Sequence, residues 1–329
     1  MLERNFKLLY KKMKGLYMFQ FSIVEKDLNI ILPKSLKFDT QFHFNMTYLI
    51  NYILNIKLKN NIDRFIFKSP KNIHYEKMCK AYICNVLEFF QQRGLTIYIN
   101  VFFKENIIGF VHKEIGKSNY NGIDIFNSII REDLTYYTFK GDKEIDKPVK
   151  DIVKTISDMS LMLNEDEFKD FLTTTIGEIF SNSVNHSEQD EVFFLFNVEN
   201  EDKSFYLYVS IIDYGRTIIS NVRKFLNDDI KAGKECMSWA IKAGNTTRIG
   251  SGGYGLDMLI RYIRAVQGNL IILSGNASYI LTSKNKVQIN DSQKHFFEGT
   301  SVTFKIKLFN RDILSYKNGN IDCLSLDEL

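Results

Sequence analysis

Ile211-Ile212-Asp213-Tyr214-Gly215, followed farther along by Gly250-Ser251-Gly252-Gly253-Tyr254-Gly255-Leu256, is the part of the chain whose reading decides the fold. The first segment ends an apolar, β-prone run on a carboxylate, as a strand does when it stops at a polar loop. A glycine two residues later lets the backbone turn tightly or approach a flat ligand. A carboxylate in that place can accept hydrogens from the exocyclic amino group of adenine. It also suits an ordinary strand-to-loop turn, where Asp and Gly are common. The second segment puts four glycines into six residues directly before a helical pattern, Leu256, Leu259, Ile260 and Ile263. Backbone N–H groups at such a helix start form an anion site that the helix dipole reinforces. A bare hinge explains the glycines equally well. The segment is neither a P-loop, which needs Gly-Lys-Ser/Thr, nor a dinucleotide fingerprint following a strand.

Upstream, residues 165–187 repeat apolar side chains at three and four (Phe168, Leu172, Ile176, Ile179, Phe180), which predicts a long helix with one buried stripe. Glu178, Asn182 and Asn185 fall at i, i+4 and i+7, on one face away from that stripe. A glutamate there can polarise a water beside a phosphate, and an amide oxygen one turn on can ligate Mg²⁺, which prefers oxygen donors. A polar solvent-facing side of a helix reads the same way. Two adjacent strands, 191–198 and 204–212, are expected next. Strands near 269–274 and 302–308 close the region, the last one preceded by Gly299-Thr300, whose hydroxyl can complete a base pocket.

Taken together, these pieces resemble the GHKL superfamily of ATPases, which contains DNA gyrase B subunits, heat-shock chaperones, histidine kinases and MutL. Glu178-Ile-Phe-Ser-Asn182-Ser-Val-Asn-His186 looks like the N box, Asp213-Tyr-Gly215 like the first glycine box, 250–256 like the second, and Gly299-Thr300 like the pair before the last strand. The resemblance implies a GHKL (Bergerat) domain over 161–310, a two-layer sandwich of mixed sheet and helices. It implies ATP and Mg²⁺ as cofactors and gives each residue a role. Glu178 would be the catalytic base and Asn182 the magnesium ligand. Asp213 would bind the adenine amino group, with Gly215 allowing close approach and Thr300 assisting. Gly250, Gly252, Gly253, Gly255 and Leu256 would surround the phosphates. Residues 216–249 would be a lid from which Thr247 or Arg248 meets the triphosphate. Many histidine kinases carry a basic residue where this chain has Asn185. With His186 next to it, read as structural, the pattern is nearer in style to anti-sigma-factor serine kinases. The remaining histidines lack the phosphoacceptor setting of sensor kinases.

Outward from this region, the chain has 329 residues, 45% hydrophobic and 25% charged, enough for two domains with their own cores. Its net charge of +4 gives no sign of nucleic-acid binding. No run of residues is long and apolar enough for a membrane span, and Met1–Leu9 is too polar for a signal peptide. Four cysteines without ligand or disulfide spacing suit a cytoplasmic protein. Leu2, Phe6, Leu9 and Met13 predict an N-terminal packing helix. Strands at 28–32, 62–67 and 95–102, with helices over 44–57 and from Ser69-Pro70 to about Gln92, give a small βαβαβ domain within 1–115. Its order is similar to STAS modules, the fold of anti-sigma-factor antagonists. Residues 116–160 read as a connector with a helix after Pro148, and 311–329 as a tail. The chain as a whole is thus of the α/β (α+β) class. The expected function is an ATP·Mg-binding conformational switch or slow ATPase that regulates a protein partner. The alternatives are a protein serine/threonine kinase of anti-sigma-factor type and a non-hydrolysing nucleotide sensor. The resemblance allows a homodimer, although no heptad seam is visible.

Overall fold

The computed structural model describes residues 19–59, 62–104, 107, 129–131, 134–140, 146–158, 165–187, 191–201, 204–247, 253–292 and 296–308. The expected N-terminal helix and the tail 311–329 lie outside them. The chain divides into two compact units, 1–129 and 130–329.

The first unit begins with a hairpin, β1 (Gln20–Val24) and β2 (Asp27–Ile31), turning through Glu25-Lys26. A two-residue bridge strand β3 (Ser35–Leu36) follows, then helix α1 (Thr40–Lys59), whose start is held by the Asp39 carboxylate accepting from the Phe42 N–H at 2.9 Å. α1 buries Phe42, Met46, Leu49, Ile50 and Ile53, the stripe its spacing requires. Then come β4 (Arg64–Lys68), the bridge β5 (His74–Tyr75), helix α2 (Lys77–Gln92), β6 (Ile97–Ile99) and a short turn α3 (Val101–Phe103). The sheet order is β1-β2-β4-β6, and β2, β4 and β6 run parallel, as two βα crossovers demand. The βαβαβ rhythm is therefore present, but two boundaries differ. Ser69-Pro70 does not open α2, because Ser69 is tied to Asn100 by two 3.1 Å bonds and β5 pairs with β3 first. The third strand stops at Ile99, where the Asn100 side chain caps α3 by accepting from the Phe103 N–H at 2.9 Å.

The second unit holds β7 (Ile129–Arg131), β8 (Leu134–Lys140), helices α4 (Asp146–Asp158) and α5 (Glu165–Ser187), β9 (Glu191–Glu201), β10 (Ser204–Asp213), helices α6 (Ile218–Leu226), α7 (Gly233–Ala240) and α8 (Gly255–Ala265), then β11 (Asn269–Gly275), β12 (Ala277–Leu281), β13 (Val287–Asp291) and β14 (Phe297–Leu308). They form one eight-stranded sheet, β13-β12-β11-β14-β10-β9-β8-β7. The stretch expected as a connector thus supplies two strands and a helix to this unit. Val149, Ile152, Val153 and Ile156 bury one face of α4 in its core, a helical stripe as legible as that of α5. Every described pairing from β13 to β8 is antiparallel. β9 and β10, β11 and β12, and β12 and β13 meet through hairpins, whereas α4 and α5 connect β8 to β9; the described parallel pairs lie in the first unit.

Phe194, Phe196, Leu207, Val209, Ile211, Ile272, Val302 and Phe304 turn to one face of the sheet and pack against Leu172, Ile176 and Phe180 of α5, with Leu259 and Ile263 of α8 in the same core. The opposite face of the sheet also carries buried residues. Phe193, Leu195, Ser210, Ile212 and Thr303 are buried there too, with Ser210 and Thr303 sharing a 2.7 Å hydroxyl bond.

Candidate functional site

The helical side of the second unit holds a cleft lined by Glu178, Asn182, Asp213, Thr247, Gly253, Gly255, Leu256 and Thr300, residues the sequence offered from five separate segments. Gly215 adjoins it, its N–H donating to Asp213 Oδ1 at 3.1 Å. Arg248, Gly250 and Gly252, along with the side chains of Asn185 and His186, lie outside the described residues.

α5 supplies one wall. Its apolar stripe faces the sheet, so Glu178 and Asn182, one turn apart, fall at the margin of the core, half-buried. β10 supplies the closed end. Asp213 is its last residue and pairs in register with Thr300 of β14, so carboxylate and hydroxyl arrive side by side because two antiparallel strands end together. Only 2% of Asp213 is exposed. Burial raises its pKa from 3.8 to about 7, against the pull of hydrogen bonds from the Gly215 N–H, the Ser183 hydroxyl and the Thr300 backbone. Behind it Tyr214 is buried and stacked on Phe297 at 5.7 Å, which anchors the loop.

Ser274, fully buried on β11, ties the base of the cleft together. Its hydroxyl accepts from the Ile218 N–H at 2.8 Å, donates to the Gly299 carbonyl at 2.8 Å and lies 3.0 Å from the Thr300 hydroxyl. Gly299 has φ of +108°, and a Cβ there would stand 2.0 Å from the Asp213 carbonyl oxygen. Only glycine lets β14 approach so closely. The second glycine run has a comparable cause at its end: a Cβ on Gly255 would stand 2.5 Å from Glu178 Cβ, so α8 begins against α5. No side chain caps that helix start.

The described part of the expected lid 216–249 contains α6 and α7, which bury Ile219, Val222, Cys236 and Met237 in the core. Asn245, Thr246 and Thr247, beyond α7, line the cleft, and the Gly244 N–H donates to the Gly253 carbonyl at 3.1 Å. Ser183, Arg216, Asn221, Trp239 and Asn245 also line it or bond its residues, and the sequence reading missed them. Ser183 follows Asn182 and Arg216 follows Gly215, so adjacency was a usable signal. Trp239 fell within the expected lid 216–249 without a role of its own, and folding brings it in from α7.

Among the described residues, no cluster of three His, Cys, Asp or Glu side chains is placed to hold a metal, and no helix is long and apolar enough to cross a membrane. Comparison with models of known protein families and with curated proteins returns no match.

Proposed function

We propose that the chain is a GHKL-type protein that binds ATP with magnesium in this cleft and works as a nucleotide-driven switch, with slow hydrolysis, regulating a protein partner. One observation carries the reading. Glu178, Asn182, Asp213, Gly255 and Thr300, far apart in sequence, line one cleft, with a buried carboxylate at its closed end and an uncapped helix start at its side.

The residues present fit the ligand. Asp213, held by Ser183, Gly215 and Thr300, would accept the adenine amino hydrogens between apolar walls from Ile179, Val302 and Leu256. The N–H groups at the start of α8 and its dipole favour phosphate oxygens. Bound ATP would supply the phosphoryl group and magnesium its charge neutralisation. Asn182 would offer its amide oxygen to the metal, and Glu178 would take the proton of an attacking water. A partner's serine hydroxyl taking the place of that water would make the protein a kinase.

Thermal melting with ATP and magnesium tests the reading. A rise in Tm that disappears in Asp213→Asn is expected, and a rise that persists in that variant overturns the adenine contact. Labelled γ-phosphate then separates the activities. Release to water marks an ATPase, transfer to a protein hydroxyl marks a kinase, and neither, with binding intact, marks a sensor.

A further inference from the structure

α7 has two working sides. Trp239 and Ala240 line the cleft on one. On the other, between α7 and the edge strand β13, runs an open groove walled by Lys231, Lys234, Glu235, Trp239, Lys242 and Ile289. Its charges are unevenly matched. Lys231 lies 3.8 Å from Asp228 and 3.9 Å from Glu235, whereas Lys234 and Lys242 are exposed and lie within ion-pair range of no acidic group among the described residues. Over 223–242 basic residues outnumber acidic ones five to three. Apolar groups stand beside the cations. Phe225 is 52% exposed and lies 5.5 Å from the Trp239 ring, and Ile230, adjacent in sequence to Lys231, is 95% exposed. Such side chains left in water next to uncompensated lysines describe a surface for association.

We propose that this groove docks an acidic segment of a partner protein, with carboxylates on Lys234 and Lys242 and an apolar side chain against Trp239 and Ile289. Two features favour carboxylates on a peptide over a phosphate. The groove offers separate ammonium point charges and no guanidinium fork. The start of α7 is already occupied, since the Gly233 N–H donates to Asp291 Oδ2 at 2.9 Å. Trp239 belongs to both groove and cleft, and its carbonyl accepts from Asn245 Nδ2 at 2.7 Å, while Asn245 itself lines the cleft. Docking therefore bears on the nucleotide side through Trp239 and Asn245. This coupling, unlike the docking, rests on the nucleotide reading above.

The full chain is titrated with a short peptide alternating glutamate and leucine, and binding is followed by calorimetry and by the emission of Trp239, the single tryptophan. Saturable, salt-sensitive binding that shifts Trp239 emission is expected, weakened about ten-fold or more in Lys234→Glu/Lys242→Glu, with circular dichroism showing the variant folded. A glutamine–leucine peptide should not bind. Absence of saturable binding, equal binding by the double variant or an unmoved Trp239 signal overturns the docking site. With peptide present, the Kd for ATP should change by about five-fold or more in the parent and not in the double variant; an unchanged Kd overturns the coupling. Peptide binding in a chain that never binds ATP leaves the groove standing and removes the nucleotide reading instead.

Discussion

At Asp213 the carboxylate proposed as the adenine acceptor is 2% exposed, and burial has moved its pKa from 3.8 to about 7. The folded state therefore binds this proton more tightly than the unfolded one. Its ionisation lowers stability as pH rises from about 4 to about 7, by up to ~4 kcal/mol. Asp213→Asn removes that burden. Chemical denaturation should show the variant gaining on the parent as pH rises through this window, even as its ATP-induced Tm shift is lost. If the proposed contact operates, ATP affinity of the parent should also fall as pH drops below 7, because amino hydrogens need the ionised carboxylate. Glu178→Ala should retain nucleotide binding and lose phosphate release by about a hundred-fold or more. Both residues could be singled out from sequence as a strand-end acid and a glutamate opposite a helix's apolar stripe. Ser183, which bonds Asp213, was signalled only by standing next to Asn182, and Ser274, beside Thr300, had no signal, because a buried serine has no periodic signature.

Among the elements, the meeting of α5 and α8 decides whether the cleft keeps its width. A Cβ on Gly255 would stand 2.5 Å from Glu178 Cβ, so only glycine lets α8 start this close to α5. Gly255→Ala should push the helices apart, reduce nucleotide affinity and destabilise the unit by about 1–3 kcal/mol in denaturant unfolding. Gly299→Ala meets backbone rather than side chain, at 2.0 Å, with φ of +108°, and should be the more damaging of the two in the same experiment. α5 was legible because its core positions recur at helical spacing. α4 carried the same signal in Val149, Ile152, Val153 and Ile156 and was expected as a helix after Pro148, but within a connector and not as part of the core. α6 and α7 were hidden in an expected lid, since helices of nine and eight residues show too few turns to establish a period.

For the whole molecule, two units with separate cores give separate responses to acid. In the first, His43 is buried among Phe38, Phe42 and Tyr82, and neither ring nitrogen has a hydrogen-bond partner. Burial lowers its pKa from 6.5 to about 3. Its neutral form is compatible with the fold at pH 6.5 and above. Below that, stability is lost by ~1.4 kcal/mol per pH unit until about pH 3. His43→Phe should flatten the acid dependence of the first unit's unfolding. Far-UV circular dichroism follows both units, whereas Trp239 fluorescence reports the second alone, so the effect should appear only in the former. Composition, the helical stripes and the alternation of strands with helices were enough to determine an α/β chain with two domains and the segments from which a site would come, because periodicity and turn chemistry are local properties. The antiparallel order of the large sheet, the burial of both its faces, the fixing of α6 and α7, and the place of Trp239 between cleft and groove were decided only by tertiary structure. Each depends on which distant residues become neighbours, and that is set by packing across the core rather than by any spacing along the chain.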